Sequence, residues 1–257
     1  MQDVQTEQKA QNFADKCKES FTKLLFDDEI GFYDSSVSAR DLSHRHMPSN
    51  NAIKWESRAC SDLVAGKEQQ CLDFYKAKLV SPAGLRPYPE NCAAYDADAN
   101  QLTCWWPVMS EFYTRLLSRF SDRDGMRQFI GWISYWTEKL TCPEGINCYF
   151  NEEAPPPDNW NCLSGVYQAY SVRGFYNAVI HSLVGADFDE EGMHLHPMRG
   201  EALTLRNLHF GKYRFDITVQ TGKEDGVILN GTSLGNAECI PYSALSLENT
   251  VTVTRRA

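Results

Sequence analysis

The residues best suited to chemistry lie in one polar loop, at positions 151–160. Glu152 and Glu153 are adjacent carboxylates, and three prolines separate them from Asp158 and Trp160. Adjacent carboxylates repel each other, which favours keeping a proton on one of them and suits general acid–base catalysis. The alternative is a solvated loop with ordinary surface carboxylates. We predict catalytic roles for Glu152 and then Glu153, and rank Asp158 below both, as a substrate-binding residue.

Aromatic and basic residues in other irregular segments could bind a sugar. Trp105, Trp106 and Trp160 stand at helix starts or in loops, where an indole can stack on the apolar face of a sugar ring or pack beneath the loop. Arg45 and His46 lie in an aperiodic polar stretch at 34–54 and could donate hydrogen bonds to hydroxyls or a phosphate. The alternative for these two residues is a plain exposed loop.

Histidines raise the question of a metal. His194 and His196 alternate along a predicted strand and share a face, with His209 as a third imidazole, but no carboxylate or cysteine stands at convincing ligand spacing in the sequence. The nine cysteines form no CxxC pair. We therefore predict no metal site and no cofactor. The cysteines are expected to be reduced thiols, with Cys142–Cys148 or Cys148–Cys162 as pairings open to an exported protein.

Composition excludes several classes of function. The chain has 257 residues, a net charge of −9 and a pI near 5.2, and no run of Lys or Arg forms a patch, so we predict no nucleic-acid partner. No apolar run approaches the roughly 20 residues that span a bilayer, so no membrane association is predicted. The first residues lack the features of a signal peptide, which predicts a cytoplasmic protein, or an exported one if the true N-terminus lies upstream.

The pattern of apolar residues changes once along the chain. Helical spacing covers residues 3–25, 55–64, 67–78, 106–120 and 121–140. A further helix with a buried apolar stripe is predicted up to a stop at Gly185, the stripe being Val166, Ala169, Val172, Phe175 or Tyr176, Val179 and Leu183. Strand-like alternation follows from residue 187. We predict an α+β protein with a domain of helical hairpins at 1–186 and an antiparallel sheet or sandwich of five to seven strands at 187–257.

Several segments resemble one enzyme family. The sequences LFDDEIGFYDS, CLDFYKAKLVSPAGLRPY, TCWWPVMSEFYTRLLSRF and GVYQAYSVRGFYNAVIHSLVGADFDEEGMHLHP are similar to segments of the (α/α)6-barrel glycoside hydrolases and disaccharide phosphorylases. EALTLRNLHFGKYRFDITV is similar to the β-sandwich that follows those barrels. The resemblance covers nearly the whole chain, although each motif is short.

The resemblance implies a fold and an activity. It implies part of an (α/α)6 toroid followed by a C-terminal β-sandwich, acting on an oligosaccharide or glycoside. It implies inverting hydrolysis, which needs two carboxyl groups about 6.5–9.5 Å apart, with Glu152 or Glu153 as the base. We count about six helices where such barrels have twelve. We therefore expect a fragment without the general acid, or a half-barrel completed by self-association or another chain. A non-catalytic carbohydrate-binding or assembly module is the alternative.

Overall fold

A computed structural model describes residues 4–33, 66–90, 104–140, 145–147 and 171–256. Helices and sheets both contribute substantially, which confirms the α+β class. Packing groups the described residues into two compact units. One contains those up to Tyr113 and those from Tyr135 to Ser171, and the other contains Thr114–Ser134 and Val172 onward. The boundary predicted between residues 186 and 187 was placed differently, at the change from helical to strand-like spacing of apolar residues. Within these segments, every helix is too short or too polar to cross a bilayer.

The first helix, α1 (Val4–Leu25), confirms the helix predicted for residues 3–25. Side-chain hydrogen bonds four residues apart, such as Gln11 to Asp15 at 2.8 Å, support its outer surface. Two residues of the apolar stripe that predicted the helix lie at the surface, because Phe13 is 70% and Leu24 58% exposed. Periodicity thus identified the helix but not what covers it.

Short elements of the first unit form hairpins after helices. Strands β1 (Phe26–Asp27) and β2 (Phe32–Tyr33) pair directly after α1. Helix α2 (Glu68–Phe74) continues as a π-helical turn, Tyr75–Leu79, which leads into β3 (Val80–Ser81) and β4 (Gly84–Leu85). This confirms the helix predicted at 67–78 and its stop at the SPAG sequence. The helix predicted at 55–64 lies outside the described residues.

Two further helices begin where the sequence predicts. After β5 (Cys104–Trp105), which pairs with β6 (Ile146–Asn147), Pro107 opens a 3-10 turn, Pro107–Met109, that precedes α3 (Glu111–Arg119). Helix α4 (Arg123–Leu140) follows at once. The Oδ1 atom of Asp122 accepts a 3.1 Å hydrogen bond from the N–H of Gly125, so the predicted cap is confirmed.

The helix before the strands is irregular. Helix α5 (Val172–Tyr176) continues as a π-helical segment, Asn177–Leu183. The prediction of a buried stripe is wrong: Val172 is 54% exposed, Phe175 is 42% exposed, and Val179 and Leu183 are only partly buried. The two exposed residues lie in the α-helical part, and the chain then changes to π-helical hydrogen bonding with more residues per turn, so a spacing of 3.6 does not follow one continuous face across residues 172–183. Gly185, at φ +65°, ends the helix as predicted.

Strands dominate the rest of the second unit. A three-stranded sheet has the order β13-β8-β7 and a five-stranded sheet the order β12-β11-β14-β10-β9. Their strands are β7 (Ala186–Phe188), β8 (Gly192–Leu195), β9 (Leu203–Phe210), β10 (Tyr213–Gly222), β11 (Gly226–Leu229), β12 (Thr232–Ser233), β13 (Cys239–Pro241) and β14 (Glu248–Arg256).

The predicted sheet is wrong in two respects. The described residues hold eight strands from Ala186 on, rather than five to seven, and the longest pairing is parallel: β10 lies beside β14 with Arg214 opposite Glu248 and Gly222 opposite Arg256. Alternation of side chains is the same in both orientations, so the pattern could not distinguish them. The apolar sides of these strands do form a core, which contains Met193, Phe215 and Val251.

Candidate functional site

Most of the predicted site residues lie outside the residues that the structure describes. These are Arg45, His46, Glu152, Glu153, Asp158 and Trp160. Their catalytic and binding roles remain predictions. The structure does show the two remaining tryptophans and several polar clusters that the sequence did not single out.

The two tryptophans of the TCWWP segment differ in accessibility. Trp105 is fully buried, and its Nε1 donates a 2.7 Å hydrogen bond to the Oγ of Ser110. The packing alternative therefore describes Trp105, because a fully buried indole offers no face to a sugar. Trp106 is only partly buried. It keeps the surface that a stacking role needs.

Trp105 supports the β3–β4 hairpin. Gly84 lies so close above the indole that an added Cβ would be 2.2 Å from its Cε3 atom, and the φ of +151° at Gly84 also favours glycine. The Oγ of Ser81 donates to the carbonyl of Gly84 at 2.9 Å. The carbonyl of Ala83 accepts a 2.7 Å bond from Nε1 of Trp136. Two buried indoles and a serine thus fix one conformation of this turn.

An arginine follows this fixed turn and was missed by the sequence analysis. The backbone N–H of Arg86 bonds the carbonyl of Leu79 at 2.8 Å, and its Nη2 lies 2.6 Å from Oε1 of Glu90. The side chain is 14% exposed, and among the described residues its buried Nε finds no acceptor. A guanidinium has five N–H donors, so Glu90 leaves capacity for ligand oxygens. The signal that could have identified Arg86 is its position in GLR, within one of the motifs that resemble the glycoside hydrolases.

The second unit contains a buried ion network. Arg115 of α3 binds Asp187 of β7 through two bonds, Nη1 to Oδ2 at 3.1 Å and Nη2 to Oδ1 at 3.0 Å. Nδ1 of His181 lies 2.6 Å from Oδ1 of the same carboxylate and 3.0 Å from the carbonyl of Ala186. Both neighbours are acceptors, so Nδ1 carries the proton. Burial alone would raise the pKa of Asp187, but hydrogen bonds from His181 and Arg115, with the charge of Arg115, hold it well below its usual range.

A polar cleft of about 360 Å³ lies on the same unit. Its lining includes three arginines, a histidine and two carboxylates: Arg119, Arg199, Arg255, His196, Asp225 and Glu238. Desolvation by burial lowers the pKa of His196 and that of Arg255. Arg199 is engaged with Asp225 at 3.3 Å, and Arg255 donates to the carbonyl of Leu195 at 2.7 Å. These contacts join residues of the protein to one another, so we interpret the cleft as a structural network.

A third cluster contains three kinds of metal-binding side chain. Glu191, His194 and Cys239 each offer a ligand atom, and these atoms all lie within 4.8 Å of one another. Cys239 comes from β13, which pairs with β8 so that Cys239 stands directly opposite His194. His196, which the sequence groups with His194, is not part of this cluster. Cys239 was not predicted as a ligand because only strand pairing brings it close to His194.

No protein-family model matches the chain, and no curated protein matches it.

Proposed function

We propose that this chain is part of a carbohydrate-active enzyme, an inverting glycoside hydrolase that acts on an oligosaccharide or glycoside. In the finer architecture of this proposal, the helices belong to an (α/α)6 toroid and the two sheets to a β-sandwich. Supporting it are the resemblance of several motifs and the order of elements, with helices and short hairpins first and a run of strands last.

The fixed β3–β4 turn is the observation that carries the proposal. It lies in the segment LVSPAGLRPY, one of the motifs that resemble the glycoside hydrolase barrels. Substrate-binding groups must be held within fractions of an ångström, so a turn locked by Trp105, Trp136 and Ser81 is a suitable support for them. Arg86, immediately after this turn, would donate hydrogen bonds to sugar hydroxyls.

In this mechanism the chain supplies the base. A carboxylate at Glu152 or Glu153 would take a proton from water as that water attacks the anomeric carbon, while a carboxylic acid elsewhere protonates the departing oxygen. Repulsion between the two adjacent carboxylates would favour a proton on one of them, which suits proton transfer.

The proposal is tested by separating binding from turnover. Panels of aryl glycosides and of di- and trisaccharides are assayed for heat of binding and for hydrolysis, with the product anomer read by proton NMR. Replacing the correct base, Glu152→Gln or Glu153→Gln, is expected to lower turnover about 10²–10⁴-fold and to leave binding within a few-fold. Arg86→Gln is expected to weaken binding. Glu138→Gln, at an exposed site on α4, is the matched control.

The possible results separate the hypotheses. Turnover that survives both glutamine substitutions shows that the loop assignment is wrong. Retention of anomeric configuration excludes the inverting mechanism. Binding that depends on Trp106 or Trp160 and ignores both carboxylates favours the non-catalytic module. A chain that neither binds nor cleaves any of these sugars is not a carbohydrate-active protein of the proposed kind.

An assembly role is the second candidate, and one observation favours it. Phe13 and Leu24 are large apolar side chains on α1 with most of their surface exposed. Exposed apolar area of this kind is typical of surfaces that contact another chain. Sedimentation velocity of the chain and of a Phe13→Glu, Leu24→Glu variant tests it. A mass above that of a monomer that falls in the variant supports assembly. A monomeric mass for both proteins excludes self-association.

A further inference from the structure

The turn between β7 and β8, together with β13, brings three different metal-binding groups to one place. The carboxylate of Glu191, the imidazole of His194 and the thiol of Cys239 have ligand atoms within 4.8 Å of one another. In the part of the chain that the structure describes, no other group of three His, Cys, Asp or Glu side chains meets this spacing. We propose that these three residues form a zinc-binding site.

The separations suit a small cation. Zinc binds sulfur at about 2.3 Å and nitrogen or oxygen at about 2.0–2.2 Å, so tetrahedral ligands stand roughly 3.3–3.8 Å apart. Ligand atoms within 4.8 Å of one another need to approach by about 1.5 Å or less to reach that spacing. The backbone is in register for this, since Cys239 pairs with His194.

The backbones that carry the ligands are held close together. Gly192 pairs with Pro241, and an added Cβ at Gly192 would lie 2.2 Å from the carbonyl oxygen of Ile240. Any other residue there would push β8 and β13 apart. The glycine therefore preserves the short distance between the histidine strand and the cysteine strand.

A second carboxylate orients the imidazole. Nε2 of His194 lies 3.0 Å from Oδ2 and 3.1 Å from Oδ1 of Asp189. A proton on Nε2, donated to Asp189, puts the lone pair of the neutral ring on Nδ1, which is the atom that would bind zinc. Such carboxylate–histidine–metal arrangements fix the tautomer and strengthen the ligand.

Asp189 is itself well positioned. Its Oδ1 accepts bonds from the N–H groups of Glu191 at 3.0 Å and Gly192 at 3.2 Å, and its carbonyl accepts a 2.6 Å bond from the hydroxyl of Tyr242. The turn that presents Glu191 is thus tied to the residue that orients His194. Asp189 would act as a positioning residue, and Glu191, His194 and Cys239 as the ligands.

The ligand chemistry selects zinc over the hard cations. A thiolate and an imidazole bind zinc well, whereas calcium and magnesium prefer sites made of oxygen atoms alone. His194 is buried, Cys239 is partly buried and Glu191 is exposed, so the exposed side of the site can admit the ion and a water as fourth ligand. Backbone pairing already joins the two strands that carry Cys239 and His194, so we expect zinc to bind a chain that is already folded.

The test uses the whole chain, freed of metal by a chelator and kept reduced. Zinc is titrated against a chromophoric chelator, and cobalt(II) is added separately because it reports its ligands by absorption. We expect one tight equivalent of zinc and a cobalt spectrum with thiolate-to-metal charge transfer and tetrahedral d–d bands. Cys239→Ser is expected to remove the charge-transfer band and to weaken zinc binding by at least about tenfold. Asp189→Asn is expected to weaken it about 10–100-fold.

Matched controls distinguish this site from other thiols and imidazoles of the chain. Cys17→Ser, at an exposed thiol of α1, and His209→Gln, at an exposed imidazole of β9, should leave the zinc affinity unchanged. If His194→Gln does not fold, Glu191→Gln and Cys239→Ser decide the question, since Glu191 is exposed. The proposal is overturned if the wild-type chain binds no zinc, or if Cys239→Ser and Glu191→Gln bind it as tightly as wild type.

Discussion

Two aspartate–histidine pairs lie near each other at strands β7 and β8, and they have different roles. Asp187 binds the imidazole of His181 and also the guanidinium of Arg115, so one carboxylate meets two side-chain donors in a largely buried site. Asp189 meets the imidazole of His194 and two backbone N–H groups, with a cysteine and a glutamate nearby. The first pair is satisfied internally and is structural. In the second pair, a proton donated from Nε2 of His194 to Asp189 puts the lone pair of the neutral ring on Nδ1.

The comparison shows that residue type does not decide between structure and chemistry. Asp187 and His194 are direct partners in the β7–β8 register, so the two environments differ within one pair of adjacent residues. The two environments differ in Arg115, which binds Asp187 through two hydrogen bonds. An arginine that binds a carboxylate through two bonds neutralises its charge within the protein. A carboxylate that orients a histidine fixes which ring nitrogen carries the proton, and the other nitrogen of the neutral ring keeps its lone pair.

The largest expected effect comes from breaking the first pair. Asp187→Asn leaves the guanidinium of Arg115, which is 21% exposed, without its counter-charge, so we expect a loss of about 3–5 kcal/mol in the free energy of unfolding. Urea denaturation followed by circular dichroism measures it. A loss below about 1 kcal/mol would show that water replaces the carboxylate and that the pair is not structural.

Acid should act on the same pair. The pKa of Asp187 is held well below its usual range, so the folded chain keeps this carboxylate charged at a pH where the unfolded chain protonates it. The contribution of Asp187 to stability is therefore complete above about pH 4 and is lost as the pH falls further, through the folded-state pKa. We expect the difference in unfolding free energy between wild type and Asp187→Asn to shrink below that pH. A difference that is constant from pH 6 to pH 2 would contradict the assignment.

The smallest effect on stability is expected at the second pair. Asp189→Asn keeps an oxygen that can accept the two backbone bonds, and the side chain is 25% exposed, so the metal-free chain should lose about 1 kcal/mol or less. The same urea titration measures it, with zinc added in a parallel series. A loss as large as that of Asp187→Asn would erase the distinction between the two pairs.

Local signals in the sequence predicted local structure well. The helix at residues 3–25, the cap at Asp122, the stop at Gly185 and the switch to strands all follow from interactions within a few residues. Such interactions can be read directly from spacing and residue type. The α+β class follows from the same signals.

Features that depend on distant contacts were missed. The change from α-helical to π-helical hydrogen bonding at Asn177 interrupts the 3.6-residue spacing that predicted a buried stripe, and the parallel pairing of β10 with β14 left no mark on the alternation of side chains. The proximity of Cys239 to His194 depends on strand register alone. Of the predicted sugar-binding residues, Trp105 is a packing residue and Trp106 keeps an accessible surface.

The position of β14 has a consequence for how the protein is made. This strand follows the others in sequence, yet it lies at the centre of the five-stranded sheet, between β11 and β10. Until β14 emerges from the ribosome, β10 and β11 each present an unpaired edge, and the pairing that joins the two halves of the sheet cannot form. Folding of this unit is thus delayed until after synthesis of its last strand, and the exposed edges meanwhile favour aggregation. Loss of residues 248–256 would divide the sheet rather than merely shorten it.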